Sequence, residues 1–208
     1  MTNDIRPPAV ILAGGLSRRM GTDKADLKLG GIPLALLIAD RLRPQVSDVL
    51  LNAPEGHPLA NTLSIIPDRV PDRPGPLAGV LTAMKAIAEL PIHHSHVLTT
   101  PCDTPFLPHD LVLRLTDDLQ SGTIVMAACA GRSHPVTALW PVALAEDLET
   151  WLGNADHRRV FDFIARHPSK TVEFEPLHGP FGSVDPFFNV NTPEDLTLAE
   201  AILERGEA

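Results

Sequence analysis

The chain has 208 residues, 44% of them hydrophobic, and a formal net charge of −9. That is enough apolar side chain for a packed core, and the wrong sign for a nucleic-acid or anionic-membrane partner. Two cysteines, Cys102 and Cys129, without a CxxC or a paired His/Cys spacing, indicate neither a disulfide framework nor a zinc site and read as buried thiols.

In chain order, the apolar run Ala9–Ala13 suits a central strand buried on both faces. It is too short for a signal-peptide core or a membrane span, so a cytoplasmic protein is expected. "LALLIADRL" after Pro33 predicts a helix, and Val49–Ala53 and Leu63–Ile66 predict strands. A helix over Leu77–Leu90, a strand over His96–Thr100 and a helix over Pro108–Gln120 follow. "TIVMAAC" and "PVTALW" read as an antiparallel edge pair, then helices near Val142–Leu152 and Val160–Ala165. Strands at Thr171–Phe174 and Phe188–Val190 and a helix over Pro193–Glu204 complete the chain. No linker or repeat divides it, so one domain over residues 1–208 is expected. Strands interleaved with crossover helices imply an α/β fold, an open, mostly parallel sheet covered on both faces, with ligands beyond the carboxyl ends of its strands.

The first such end opens into "GGLSRRMGTDK". Residues 1–44 carry seven basic groups against four acidic ones, a local +3 that leaves −12 on the remainder. The amides of Gly14 and Gly15 can approach an anion closely, and Arg18, Arg19 and Lys24 can add charge-assisted hydrogen bonds, which points to phosphate. The spacing is neither G-x-x-x-x-G-K-[ST] nor G-x-G-x-x-G, which disfavours a P-loop hydrolase and a dinucleotide oxidoreductase. A tight Gly-Gly turn with solvated arginines is the other reading of the same residues.

In "HVLTTPCDTPFLP", Asp103 follows another strand end inside a proline-rich turn. A carboxylate there can hold Mg²⁺, or can simply cap the next helix. In "FFNVNTPEDL", Asn189 and Asn191 lie two apart and can orient a polar ligand, while Thr192 caps the terminal helix. "HHSH" (His93, His94, His96) reads as a solvated loop, and His134-Pro135 as a turn or a cleft residue. Trp140 and Trp151 read as core.

"LAGGLSRRMGTDK", "PGPLAGVLTAM", "PCDTPFLP" and "FFNVNTPEDL", in this order from about Val10 to Leu196, resemble the molybdenum cofactor guanylyltransferase (MobA) family. The resemblance implies a Rossmann-like three-layer α/β/α nucleotidyltransferase fold whose N-terminal half binds GTP and whose C-terminal half binds molybdopterin. It implies transfer of GMP from GTP to the phosphate of molybdopterin, with loss of pyrophosphate. By motif, Leu12, Ala13, Gly14, Lys24, Asn52, Asp68 and Asp103 would bind GTP, Gly15 and Arg19 would line the triphosphate loop, and Asp103 would hold Mg²⁺, or Mn²⁺ in its place. Asp103, Lys24 and Arg19 would carry catalysis; Gly75, Gly79, Asn189 and Asn191 would shape the cleft; Arg158-Arg159 would help take the pterin phosphate. Molybdoenzyme chaperones and other cofactor-biosynthesis proteins are the partners it implies. The Gly21–Lys24 segment is a departure, being shorter than is common in the family. The second glycine after "LAG" resembles the guanylyl enzymes, whereas cytidylyl and sugar-phosphate relatives resemble "LAAG"; a CTP-dependent enzyme and a non-catalytic carrier module are the alternatives.

Overall fold

The structure is a computed structural model that describes residues 6–13, 27–69, 75–154 and 159–204. Its frame is a seven-stranded sheet. Strand β1 (Ala9–Leu12) is wholly buried and lies between β4 (Val49–Asn52) and β6 (His96–Pro101), parallel to both. β5 (Ser64–Ile66) extends the parallel set beyond β4. On the other side β8 (Arg132–Pro141) runs antiparallel to β6 and to β7 (Ile124–Cys129), and β9 (Ser169–Phe174) closes the sheet parallel to β7. The order is therefore β5-β4-β1-β6-β8-β7-β9, with β8 alone opposed to the rest. The expected mostly parallel sheet and its antiparallel pair are both present.

Both faces are covered. Helix α1 (Leu34–Leu42) turns Leu34, Ala35, Ile38, Ala39 and Leu42 inward, a helical period that leaves Asp40 exposed. Helix α2 (Pro76–Ala88) is buried along almost its whole length on the opposite face, with α4 (Ala145–Leu152) and α5 (Val160–Ile164) beside it. A third apolar cluster gathers Leu29, Leu34, Phe106, Val190 and the C-terminal helix α6 (Pro193–Leu203). Thr192 caps α6 as expected, in a reciprocal capping box with Asp195. Trp140 is fully buried and donates from Nε1 to Thr99 Oγ1 at 2.9 Å, whereas Trp151 is half-buried. Both cysteines are buried. Among the described residues no helix is long and apolar enough to cross a membrane.

The structure corrects three local readings. Helix α3 covers only Leu111–Thr116, because Pro108–Asp110 form a turn and Asp117 is extended, followed by Asp118 at φ 53°. Phe188–Val190 forms no strand; the Val190 N–H donates to the Asp103 carbonyl at 2.9 Å, so the segment crosses the end of β6 instead of joining the sheet. Two hairpins are additional: β2 (Lys28–Leu29) with β3 (Ile32–Pro33), and β10 (Leu177–Gly179) with β11 (Gly182–Val184). The first turns on Gly30 and Gly31, at φ 58° and 83°, the left-handed pair that a two-residue hairpin requires.

The β7–β8 connection has the same geometry with a less suitable residue. Cys129 pairs with Arg132, so Ala130 and Gly131 are the central positions, at φ 49° and 77°. For an L-alanine this conformation costs about 1–2 kcal/mol, whereas asparagine tolerates it. Ala130→Asn is expected to stabilise the fold by about 1 kcal/mol and raise the thermal midpoint by roughly 2–4 °C, checked by calorimetry.

Candidate functional site

The carboxyl ends of β1, β4, β5 and β6 form one edge, and the structure brings most of the singled-out residues to it. Ala13 donates its N–H to the Asn52 carbonyl at 3.0 Å, and the Cys102 N–H donates to the Leu12 carbonyl at 3.1 Å. The segment leaving β1 is thus rooted between Asn52 on one side and Cys102-Asp103 on the other. Gly14, Gly15, Arg18, Arg19, Gly21 and Lys24 lie outside the described residues, as does Arg158.

On the β4 side, Asn52 is fully buried and donates from Nδ2 to the Ile66 carbonyl at 3.0 Å and to Asp68 Oδ1 at 2.9 Å. These two acceptors fix the amide's orientation. Its Oδ1 is buried and has no hydrogen-bond partner among the described residues; an acceptor left so costs typically about 1–3 kcal/mol. Asp68 itself is exposed, an aimed carboxylate two residues beyond the carboxyl end of β5. Gly79 supplies the space: a Cβ there would stand 3.0 Å from Asn52 Oδ1 and 3.2 and 3.3 Å from the Leu12 methyls. Gly75 precedes α2 at φ 123°, a backbone that L side chains rarely adopt.

On the β6 side, Asp103 is 6% exposed and accepts a hydrogen bond from Asn189 Nδ2 at Oδ1. Its carbonyl takes the Val190 N–H, so side chain and main chain are both held by a segment 86 residues away. Thr104 donates to the Pro101 carbonyl at 3.0 Å and closes the turn. Asn191 does not join Asn189; it is exposed, and its N–H donates to Asp195 Oδ2 at 2.9 Å, which with the Thr192 N–H holds the Asp195 carboxyl below its usual range.

His134, a turn or a cleft residue by sequence, lies at this same edge. It is buried, its Nε2 lies 2.7 Å from Asp185 Oδ2, and it packs against Phe187 with ring centroids 5.0 Å apart. Asp185 carries no signal in the sequence, where 51 residues separate it from its partner and no motif joins them. Only His93 of the "HHSH" set is exposed; His94 and His96 are buried, because His96 opens β6 and bonds Ser95 Oγ and the Thr123 carbonyl. Arg159 is exposed and immediately precedes α5.

Comparison with known proteins agrees with this architecture. The family model described as "MobA-like NTP transferase domain" matches residues 9–171. A molybdenum cofactor guanylyltransferase of Rhizobium meliloti (strain 1021) is 52% identical over 200 residues, covering 95% of this chain and 92% of that one. Among solved structures, molybdopterin-guanine dinucleotide biosynthesis protein A from Archaeoglobus fulgidus superposes with a TM-score of 0.71 at 19% identity, covering 95% of this chain and 99% of its own. Rv0371c from Mycobacterium tuberculosis, solved as a complex with manganese, does so at 0.66 and 14% identity, covering 95% and 98%.

The fit of Gly79 against Asn52 is open to test. In Gly79→Ala, the gain in helix propensity of about 1 kcal/mol offsets overpacking of about 1–3 kcal/mol, so the thermal midpoint is expected to move by only a few degrees. The Asn52 amide must move, and its side-chain ¹⁵N–¹H resonances are expected to shift well beyond those of other asparagines.

Proposed function

Because the chain belongs to the MobA-like NTP transferase family, we propose that it is a molybdenum cofactor guanylyltransferase. It moves GMP from GTP to the phosphate of molybdopterin, or of its molybdenum-loaded form, and releases pyrophosphate. The observation that carries this reading is the arrangement at one sheet edge. The Asn52–Asp68 pair and the Asp103–Asn189 pair flank the root of the segment that contains Gly14, Gly15, Arg19 and Lys24.

The N-terminal half supplies the GTP site. An ionised carboxylate is acceptor-only, and Asp68, aimed by Asn52, matches the two donors of guanine at N1–H and N2–H₂. Cytosine offers one donor group, N4–H₂, beside an acceptor at N3 that a carboxylate repels, so GTP is favoured over CTP. Leu12, Ala13 and Gly14 line the nucleotide, with Gly75 and Gly79 leaving it room. The amides at Gly14 and Gly15, together with Arg19 and Lys24, receive the triphosphate.

A divalent cation fits the donor set, since Asp103 presents a hard carboxylate oxygen whose position is restrained by Asn189. Asp103 would hold Mg²⁺, or Mn²⁺ in its place, and the bound cation would neutralise charge on the triphosphate and on the leaving pyrophosphate. Arg19 and Lys24 would do the same, while Asn189 shapes the cleft toward the C-terminal half, where molybdopterin binds. The protein acts by positioning and electrostatics, because the nucleophile is already an anion. A cytoplasmic enzyme with small-molecule substrates follows.

Pyrophosphate release from purified protein with Mg²⁺, molybdopterin and either GTP or CTP tests the assignment. Asp103→Ala is expected to lose about 10³-fold or more in turnover, and Arg19→Ala to raise the KM for GTP about tenfold. Asp68→Asn should narrow the preference for GTP over CTP. Turnover with CTP alone, or undiminished turnover by Asp103→Ala, would reject it.

A further inference from the structure

Between the end of β6 and the start of β8 lies a cavity of about 190 Å³, lined among others by Pro101, Thr104, Arg132, His134, Thr137 and Asn189. It adjoins the Asp103 turn, since Asn189 belongs to both the cavity wall and the Asp103 clasp. It is smaller than the roughly 300–1,000 Å³ of a site enclosing a whole drug-sized ligand, and suits one end group.

The histidine in its wall is held from behind. Asp185 Oδ2 sits 2.7 Å from His134 Nε2, while Asp185 Oδ1 accepts the Phe187 N–H at 2.8 Å, so the carboxylate is itself fixed. An ionised carboxylate can only accept, which places the hydrogen of the neutral ring on Nε2 and leaves Nδ1 with a lone pair. Nδ1 makes no hydrogen bond among the described residues. Burial holds the ring neutral more strongly than Asp185 favours its charged form; Arg132 also opposes the charge, and Glu173 on β9 favours it. Cys129 on β7, a neutral thiol pushed up to about 11 by burial and by Asp185, Glu173 and Glu175, completes the titratable surroundings.

The geometry points to a role for this pair in the proposed reaction: His134, oriented by Asp185, receives at Nδ1 the phosphate monoester end of the second substrate. The inference rests on the guanylyltransferase reading for the identity of that ester. Such an ester carries one proton below a pKa of about 6 and none well above it. When the monoanion enters, its remaining P–OH proton passes to Nδ1, giving a dianion and an imidazolium paired with Asp185. The dianion oxygen then forms a bond to the α-phosphorus of GTP as the bond to the β-phosphate oxygen breaks, and the imidazolium proton leaves to pyrophosphate or water. His134 thus touches the nucleophile, and Asp185 is a positioning residue acting through it. Arg132 in the same wall adds fixed positive charge.

Two readouts on the full chain test this. In ¹⁵N imidazole spectra, with the His134 signal identified by its loss in His134→Gln, titration with phenyl phosphate is expected to shift Nδ1 saturably, and more weakly in Asp185→Asn. In steady-state transfer, His134→Gln is expected to raise the KM for molybdopterin about tenfold to a hundredfold while the KM for GTP stays within about twofold and the thermal midpoint within a few degrees. The wild-type kcat/KM for molybdopterin should peak and then fall as pH rises and the shared proton is lost. His134→Gln should instead rise to a plateau, and Asp185→Asn should begin its fall at lower pH because the imidazolium has lost its carboxylate. An unmoved Nδ1 signal, equal effects on both KM values, or a His134→Gln profile that keeps the alkaline fall would each overturn the inference. A shifted Nδ1 in a protein that transfers no guanylyl group would reject the guanylyltransferase reading and leave His134 as a phosphate-ester contact.

Discussion

The structure depends on how Asp103 is held. A buried carboxylate is tolerated only with hydrogen-bond partners, and here the partner comes from far down the chain: Asn189 bonds the side chain while Val190 bonds the main chain of the same residue. Because both contacts fall on one residue, neither Asp103 nor the 189–190 segment can shift without the other. Val190 is at the same time anchored in the apolar cluster with Leu29, Phe106 and α6. The C-terminal helix, the β2–β3 hairpin and the turn after β6 therefore share one core, and the position of the Asp103 carboxylate is set by hydrophobic burial some residues removed from it.

The opposite wall of the cleft is less comfortable. Asn52 commits both hydrogens of its amide to Ile66 and Asp68, and its oxygen faces the Cβ-less surface of Gly79 with no partner among the described residues. A buried acceptor left in this state opposes folding, and a helix glycine in place of alanine adds to the cost. Leucine at position 52 would remove the polar penalty, but it would also release Asp68. The local loss of stability and the fixed direction of that carboxylate have one cause, which is the relation expected where a fold gives up stability for a preorganised site.

Periodicity was sufficient for the elements that position these residues. β1, β4 and β6 are short, mainly apolar and almost wholly buried, and α2 is rich in alanine and leucine and buried along most of its length, so length and composition located them to within a residue or two. Legibility failed where the backbone's partner is not a neighbour in sequence. Phe188–Val190 has the composition of a strand, yet its one decisive hydrogen bond goes to a turn, and tertiary contact overrode propensity. The β2–β3 hairpin was readable in principle, from Gly30-Gly31 between apolar residues. Asp103 was legible because it sits just beyond a strand end, whereas Asn52 and Asp68 were reached only through the family resemblance, although both also lie at strand ends. His134 and Asp185 needed the folded chain, because neither residue alone distinguishes a surface charge from half of a buried pair.

Electrostatics explains why a histidine suits the second wall. The remainder of the chain beyond residue 44 is strongly acidic, and Asp185, Glu173 and Glu175 surround this corner. Arg132 already places one permanent cation in this wall; a second would favour retention of the anionic product as much as binding of the incoming phosphate, and interactions common to ground and transition states do not speed turnover. A ring kept neutral by burial has no attraction for an anion until it takes a proton from it. Its charge then exists only while the nucleophile is a dianion, and disappears when that proton leaves. Under the proposed assignment, fixed charge at Arg19 and Lys24 suits the triphosphate, whose charge is constant; a charge that comes and goes suits the ester, whose ionisation changes during the reaction.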